Sequence, residues 1–187
     1  MDEANVVALA RRGDQAAWAE LVRLHQEAVF RLAYLHLGDA AEAQDAAQDC
    51  FVRAYKHLGR FDAQRPLRPW LLRIVSNLAR NRQRSASRSW AALQRAARQQ
   101  PQAAEGPQAG SEAAQQAHEL WSAVRTLPAR LQSVIYLRYF MQLSVEETAE
   151  ALGQATGTVK SQTHRALQKL HEIIRSEFPQ LEEDRHG

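Results

Sequence analysis

Apolar residues recur along the chain at intervals of three and four rather than two, the period of helices that bury one stripe. The longest such run follows Asp14: Trp18, Leu21, Val22, His25, Ala28, Val29, Leu32 and Ala33 share one side of a helix that Gly38 stops. A short helical start over residues 6–12 precedes it and breaks at Gly13. Asp39 opens a third helix with Glu42 three residues on, a capping-box-like start. The inner side of that helix is Ala43, Ala47, Cys50, Phe51, Ala54 and Leu58. Pro69 suits the first turn of a fourth helix, where its missing N–H costs nothing, and Trp70, Leu71, Ile74, Val75 and Leu78 form its buried stripe.

The pattern then lapses. Residues 85–112 are rich in Ala, Gln and Ser and contain Pro101, Gly106, Pro107 and Gly110. Trp90, Leu93 and Ala97 allow the helix to continue for a while, but 99–112 lacks large apolar residues and is expected to be linker. A flexible coil over 89–112 spans about 25–30 Å, and a stretched one about 80 Å. Periodicity resumes with Ala117, Leu120, Trp121, Val124 and Leu127. Pro128 opens a further helix expected to bury Leu131, Val134, Ile135 and Tyr139. The fold class predicted is therefore all-α, with two small helical domains joined by a flexible linker. The expected boundaries are 1–88, linker 89–112, second domain 113–178 and a polar tail 179–187.

The stretch 143–170 has the pattern of a helix-turn-helix. Ser144 and Glu147 form a capping box, Val145, Thr148, Ala149 and Leu152 supply an apolar face, and Gly153 ends the first helix. Thr156 or Thr158 is expected to cap the second, on which Val159, Thr163, Ala166, Leu167 and Leu170 point inward. That leaves Thr156, Thr158, Lys160, Ser161, Gln162, His164 and Arg165 as candidates for contact with the DNA major groove, with Lys169 also outside. The plainer reading is a helical hairpin with a solvated basic face. Ile173, Ile174 and Phe178 extend the core beyond it.

Charge changes this picture more through placement than through amount. The net charge is only +3, but residues 59–88 hold eight Arg and one Asp, while 39–49 hold four acidic residues and no basic ones. Such separation offers different faces to different partners. Gln44, Asp45, Gln48 and Asp49 lie together on the third helix. A side of this kind is commonly just solvated, and it can also dock on a basic partner helix. Arg73, Asn77, Arg80, Asn81 and Arg84, continued by Arg88, form one polar stripe on the fourth helix, with Arg82 beside it and Arg60, Arg65 and Arg68 in the loop before it. A solvated helix, an acidic protein partner and nucleic acid compete as readings. The absence of Asp or Glu on that helix favours nucleic acid, since Arg forks phosphate and Asn reads base edges.

No compact catalytic constellation, phosphate-cradling Gly loop or metal-ligand spacing is present, so neither an enzyme nor a cofactor or metal is expected. His25, His36 and His57 are scattered and fit surface or boundary positions better than ligation. The one cysteine, Cys50, excludes an internal disulfide. With no signal peptide and no apolar run near membrane-spanning length, a soluble cytoplasmic protein without membrane insertion is expected.

Taken together, the motifs resemble those of bacterial RNA polymerase sigma factors of the extracytoplasmic-function (ECF) group. Gly13-Asp14-Gln15-Ala16-Ala17-Trp18 is similar to the family's opening, and Ala43-Gln44-Asp45-Ala46-Ala47-Gln48-Asp49-Cys50-Phe51 to its acidic signature, with Gln44 and Asp49 standing where Glu is usual. Trp70-Leu71-Leu72-Arg73-Ile74-Val75-Ser76-Asn77 resembles the third motif. Leu127-Pro128, Arg130, Leu137-Arg138, Ser144, Glu147-Thr148-Ala149, Leu152-Gly153 and Gly157-Thr158-Val159-Lys160-Ser161 follow the family in order. Gln162 and Leu167 stand where Arg is common.

The resemblance implies a transcription initiation factor that directs core RNA polymerase to promoter DNA. Gln44, Asp45, Gln48 and Asp49 are then expected to dock on the polymerase largest subunit. Arg60, Arg65, Arg68, Arg73, Asn77, Arg80, Asn81 and Arg84 are expected to recognise and melt the −10 element, with a flipped base held by the loop after the third helix. Thr156, Thr158, Lys160, Ser161, Gln162, His164 and Arg165 are expected to read the −35 element. The linker is expected to pass near the polymerase active-site and RNA-exit region. An anti-sigma factor is a further expected partner. A free-standing helix-turn-helix repressor and a helical adaptor for acidic proteins are the competing functions.

Overall fold

The computed structural model describes residues 2–96 and 112–177, and every regular element among them is helical. Of the linker expected at 99–112, residues 99–111 lie outside the described residues and Glu112 begins a helix; the tail at 179–187 and Phe178 also lie outside them. The chain divides into two compact units, one built on the first four helices and the other on most of the remaining ones.

In the first unit α1 (Glu3–Arg11), α2 (Gln15–Leu37), α3 (Ala40–His57) and α4 (Leu67–Ala96) pack around a common core, α2 lying against each of the other three. Both expected aspartate caps are present. Asp14 accepts from the Ala17 N–H at 2.9 Å and Asp39 from the Glu42 N–H at 2.8 Å, each satisfying an orphan donor of the helix it precedes. Gly38 closes α2 with φ 75°, the left-handed conformation that only glycine adopts without strain. Helix α3 buries Ala43, Ala46, Ala47 and Ala54. These small side chains let the flanking helices approach closely around Leu21, Leu32, Leu71 and Val75.

Helix α4 begins at Leu67, two residues before Pro69, and is continuous to Ala96. The helix thus covers the first eight residues of the segment 89–112 expected to be linker. His36 is fully buried, not at a boundary. Burial, seconded by the Arg80 charge, lowers its pKa to about 4 and keeps the ring neutral. Cys50 is also buried, with its thiol directed at the Leu71 carbonyl at 3.5 Å. Its pKa is raised to about 12, chiefly by burial, so the side chain behaves as a small apolar group.

The second unit contains α5 (Glu112–Thr126), α6 (Ala129–Ile135), the first residues of α7 (Val145–Leu152) and α8 (Thr156–Glu177), with α8 packed on α5 and α6. Helix α6 runs into a wide π-type turn over Tyr136–Phe140, closed by the Met141 N–H on the Tyr136 carbonyl at 2.8 Å. This turn takes more residues per revolution than an α-helix and shifts the phase of everything after it. Tyr136 and Leu137 are therefore the buried pair, and Tyr139, expected inside, is half exposed. The capping box of α7 forms in both directions: the Glu147 N–H donates to Ser144 Oγ at 3.0 Å, and the Ser144 N–H to Glu147 Oε2 at 2.7 Å. Gly153 ends α7 with φ 64°. The first carbonyl of the α8 ladder is that of Ala155, which accepts from the Val159 N–H at 3.1 Å. The cap position thus falls one residue before Thr156, not on Thr156 or Thr158.

Candidate nucleic-acid and polymerase interfaces

Three clusters of candidate residues can be built from these elements. On α3, Gln44, Asp45, Gln48 and Asp49 are all exposed, as the one, four and five spacing requires of a single outer side. Gln44 and Gln48 also line a groove of about 820 Å³ between α2 and α3, floored by Trp18, Phe51, Val52 and Tyr55. Trp18 packs against Tyr55 with ring centroids 5.1 Å apart and against the edge of Phe51 at 6.3 Å. Val52 and Tyr55 are about half exposed, so this aromatic floor is accessible. Trp18 and Phe51, expected in the core, are half-buried and reach its rim. Val52 and Tyr55 flank Phe51 at spacings of one and four on α3, outside its inner stripe, and that spacing is the sequence signal for an apolar edge.

The second cluster is the arginine face. Arg73, Asn77, Asn81 and Arg84 are exposed along α4 and Arg80 is half-buried. Arg80 is also internally bonded, donating to Asn77 Oδ1 at 2.6 Å and to the Ser76 carbonyl at 3.3 Å. Its pKa is lowered, first by burial and then by the neighbouring Arg84 charge. Arg82, beside the stripe, is turned back to α3. Its guanidinium donates to Glu42 Oε2 at 2.9 Å and to Asp49 Oδ2 at 2.8 Å. The stripe carries no acid of its own, yet one of its neighbours is neutralised by α3, and Asp49 belongs to both surfaces.

The loop between α3 and α4 starts with a single 3₁₀ turn, Leu58–Arg60. Phe61 is buried against Trp70, with centroids 4.8 Å apart. Asp62 then nucleates a turn, accepting from the Gln64 N–H at 3.1 Å through its side chain and from the Arg65 N–H at 3.0 Å through its carbonyl. Arg60 and Arg65 are exposed and Arg68 is half-buried at the start of α4. Buried Phe61 thus holds the loop to α4 through Trp70, while Arg60 and Arg65 stay outside as exposed cations.

The third cluster lies on α8. Thr156, Thr158, Lys160, Ser161, His164 and Arg165 are exposed, and Val159, Ala166 and Leu170 form the buried stripe. Gln162 is half-buried. Leu167, expected inside, is 41 % exposed, because Ala166 and Leu170 already fill the contact side. Ser161 Oγ donates to the Thr158 carbonyl at 3.0 Å, which fixes its rotamer along the helix. Among the described residues no group of His, Cys, Asp and Glu is placed to hold a metal, and no helix is long and apolar enough to cross a membrane.

Comparison with known proteins matches both units. Residues 21–89 fit the family model for sigma-70 region 2 and residues 117–170 that for sigma-70 region 4. The chain is 31 % identical over 173 residues to the ECF RNA polymerase sigma factor SigW of Bacillus subtilis (strain 168), covering 88 % of this chain and 92 % of that one. It is 34 % identical to an RNA polymerase sigma-E factor of Streptomyces avermitilis, covering 88 % of each. Among solved structures it is similar to CnrH in complex with the cytosolic domain of CnrY, with TM-score 0.71, 26 % identity, and coverage of 94 % of this chain and 98 % of that one. It is also similar to the sigma factor RpoE of Bartonella quintana in complex with the anti-sigma factor NepR, with TM-score 0.63, 25 % identity, and coverage of 85 % and 97 %.

Two helical units carrying regions 2 and 4 define a sigma factor, a transcription initiation factor that recognises promoters. Within that class the chain belongs to the family of ECF RNA polymerase sigma factors.

Proposed function

We propose that the two units divide promoter recognition between them. The first, bounded near residue 88, docks on core RNA polymerase through Gln44, Asp45, Gln48 and Asp49. The Trp18–Phe51–Tyr55 groove takes the apolar side of the partner helix. The loop residues Arg60, Arg65 and Arg68 and the α4 residues Arg73, Asn77, Arg80, Asn81 and Arg84 hold the opened −10 strand. In the second unit, from about residue 113, Thr156, Thr158, Lys160, Ser161, Gln162, His164 and Arg165 read the −35 duplex in the major groove. Melting follows from differential affinity: the first unit binds the open strand better than the closed duplex, and only that difference can drive opening. The chain supplies no catalytic group, the polymerase performs the chemistry, and the protein works in the cytoplasm. An anti-sigma factor that covers these faces is a fitting regulator, as the Bartonella quintana RpoE was solved with one.

The observation that carries this reading is the separation of charge within one small unit. The acidic and amide-rich residues of α3 and the arginine stripe of α4, half-buried Arg80 apart, are exposed and meet beside the Arg82–Asp49 bond, which leaves Gln44, Asp45 and Gln48 for protein and the stripe for nucleic acid. The test is run-off transcription with bacterial core polymerase on a promoter library. Specific transcripts that depend on this chain are expected. Failure to bind core under conditions where another sigma factor binds it overturns the reading.

A further inference from the structure

The loop between α3 and α4 is fastened at both ends by side chains of α1. At its start, Arg11 Nη2 donates to the Gly59 carbonyl at 2.9 Å. At its end, Glu3 Oε2 accepts from the Leu67 N–H, the first residue of α4, at 3.2 Å. The other oxygen of the same carboxylate, Oε1, lies 2.9 Å from Nε2 of the buried His25 on α2. Glu3 thereby ties α1, α2 and the N-terminus of α4 together and satisfies a backbone donor that the helix itself leaves open. Between the anchors, Phe61 is held by Trp70, while Arg60, Asp62, Gln64, Arg65 and Pro66 are exposed. Neither anchor lies in the segment matched by the region 2 model, which begins at residue 21.

We propose that Glu3 and Arg11 are positioning residues for sequence recognition in the opened −10 strand. They touch no DNA and set the conformation of the loop that does; the inference rests on the loop's role proposed above. The physical reason is a population argument. A loop fixed only through Phe61 and its own Asp62 turn samples more arrangements of Arg60 and Arg65 relative to α4, and the base-reading arrangement is then a fraction of the ensemble. Apparent affinity for the preferred sequence falls by that fraction. Phosphate contacts made by α4 tolerate many loop conformations and are retained. Loss of either anchor therefore flattens sequence preference more than it weakens binding to single-stranded DNA in general.

The experiment uses the full chain assembled with core polymerase and a single-stranded DNA pool with one randomised hexamer. Enrichment of hexamers is read by sequencing, and core affinity and thermal midpoint are measured in parallel. Glu3→Ala and Arg11→Ala are expected to lower the enrichment of the preferred hexamer about tenfold, the scale of one lost base discrimination, with core affinity within twofold of the parent. Glu3→Gln keeps an oxygen for the Leu67 N–H and is expected to recover part of the preference. Arg60→Ala and Arg65→Ala provide the reference for the loop itself. If these loop variants flatten the preference and the α1 variants leave it intact, the positioning role is wrong and the loop assignment stands. If the loop variants also change nothing, both are wrong. An equal loss of core affinity and preference in both α1 variants reduces the anchors to general folding contacts and likewise overturns the proposal; Arg11 is exposed, so its variant does not depend on a core repack.

Discussion

Arg82 of α4 donates to Asp49 of α3 at 2.8 Å and, through its other terminal nitrogen, to Glu42 at 2.9 Å. The guanidinium retains only about a quarter of its exposure, whereas both carboxylates remain more than half exposed. Its pKa is raised, chiefly by the hydrogen bond to Asp49. The pair joins the helix proposed to dock on polymerase to the helix proposed to hold DNA. A double-mutant cycle of Arg82→Ala and Asp49→Ala in urea unfolding is expected to give a coupling of about 0.5–1 kcal/mol, at the upper end for a partly screened ion pair. It should shrink in high salt. A coupling indistinguishable from zero at low salt means that the two side chains are solvated separately in solution.

The arginine face makes a second, graded prediction. Arg84 is exposed, while Arg80 is half-buried and bonded to Asn77 at 2.6 Å. A phosphate contact contributes about 0.7–0.9 to the slope of log affinity against log salt. Arg84→Ala in the holoenzyme should therefore lower the slope for open-promoter binding by about 0.7. Arg80→Ala should lower it less and act mainly by releasing Asn77. Open-complex yield should fall in both. An unaltered slope in Arg84→Ala removes that residue from the phosphate contacts.

How far such relationships can be seen in advance depends on their range in the chain. Asp14, Asp39 and Ser144 are legible as caps because a cap is a contact between residues three apart, and all three form as expected. The exposure of Gln44, Asp45, Gln48 and Asp49 follows from helical period alone. Period fails where the backbone departs from 3.6 residues per turn. The wide turn at Tyr136–Phe140 brings Tyr136 inside and leaves Tyr139 out. Arg82–Asp49 and Glu3–Leu67 span 33 and 64 residues, so their existence depends on how helices pack, which hydrophobic spacing does not specify. His36 illustrates the same limit, since its burial needs the neighbouring α4 to cover the end of α2.

The reciprocal bonds between Ser144 and Glu147 predict how the helix-turn-helix depends on its first turn. Ser144→Ala removes the acceptor for the Glu147 N–H and should destabilise the second unit by about 1 kcal/mol, with Ser144→Gly costing only a few tenths. Glu147→Ala exposes the Ser144 N–H and should cost a similar amount. The losses should be less than additive in the double variant, because each side chain helps to orient the other. Thermal unfolding followed by circular dichroism measures all three, and strict additivity would show that the box acts as two separate caps.

His36 predicts an acid sensitivity whose sign can be worked out. The ring sits in the last turn of α2, where the helix dipole favours a cation, yet burial prevails and lowers its pKa to about 4 from an ordinary 6.5. Between those values the unfolded chain binds the proton and the folded chain does not. Stability from this group is therefore complete above about pH 6.5 and declines as pH falls towards 4, by about 3 kcal/mol in all. His36→Leu lacks the titration. Between pH 7 and pH 5 the parent should lose about 2 kcal/mol more than the variant, as read from urea midpoints at constant m-value. Parallel pH profiles for the two proteins would mean that the ring takes up its proton without unfolding, through an opening of the α2–α4 contact that covers it.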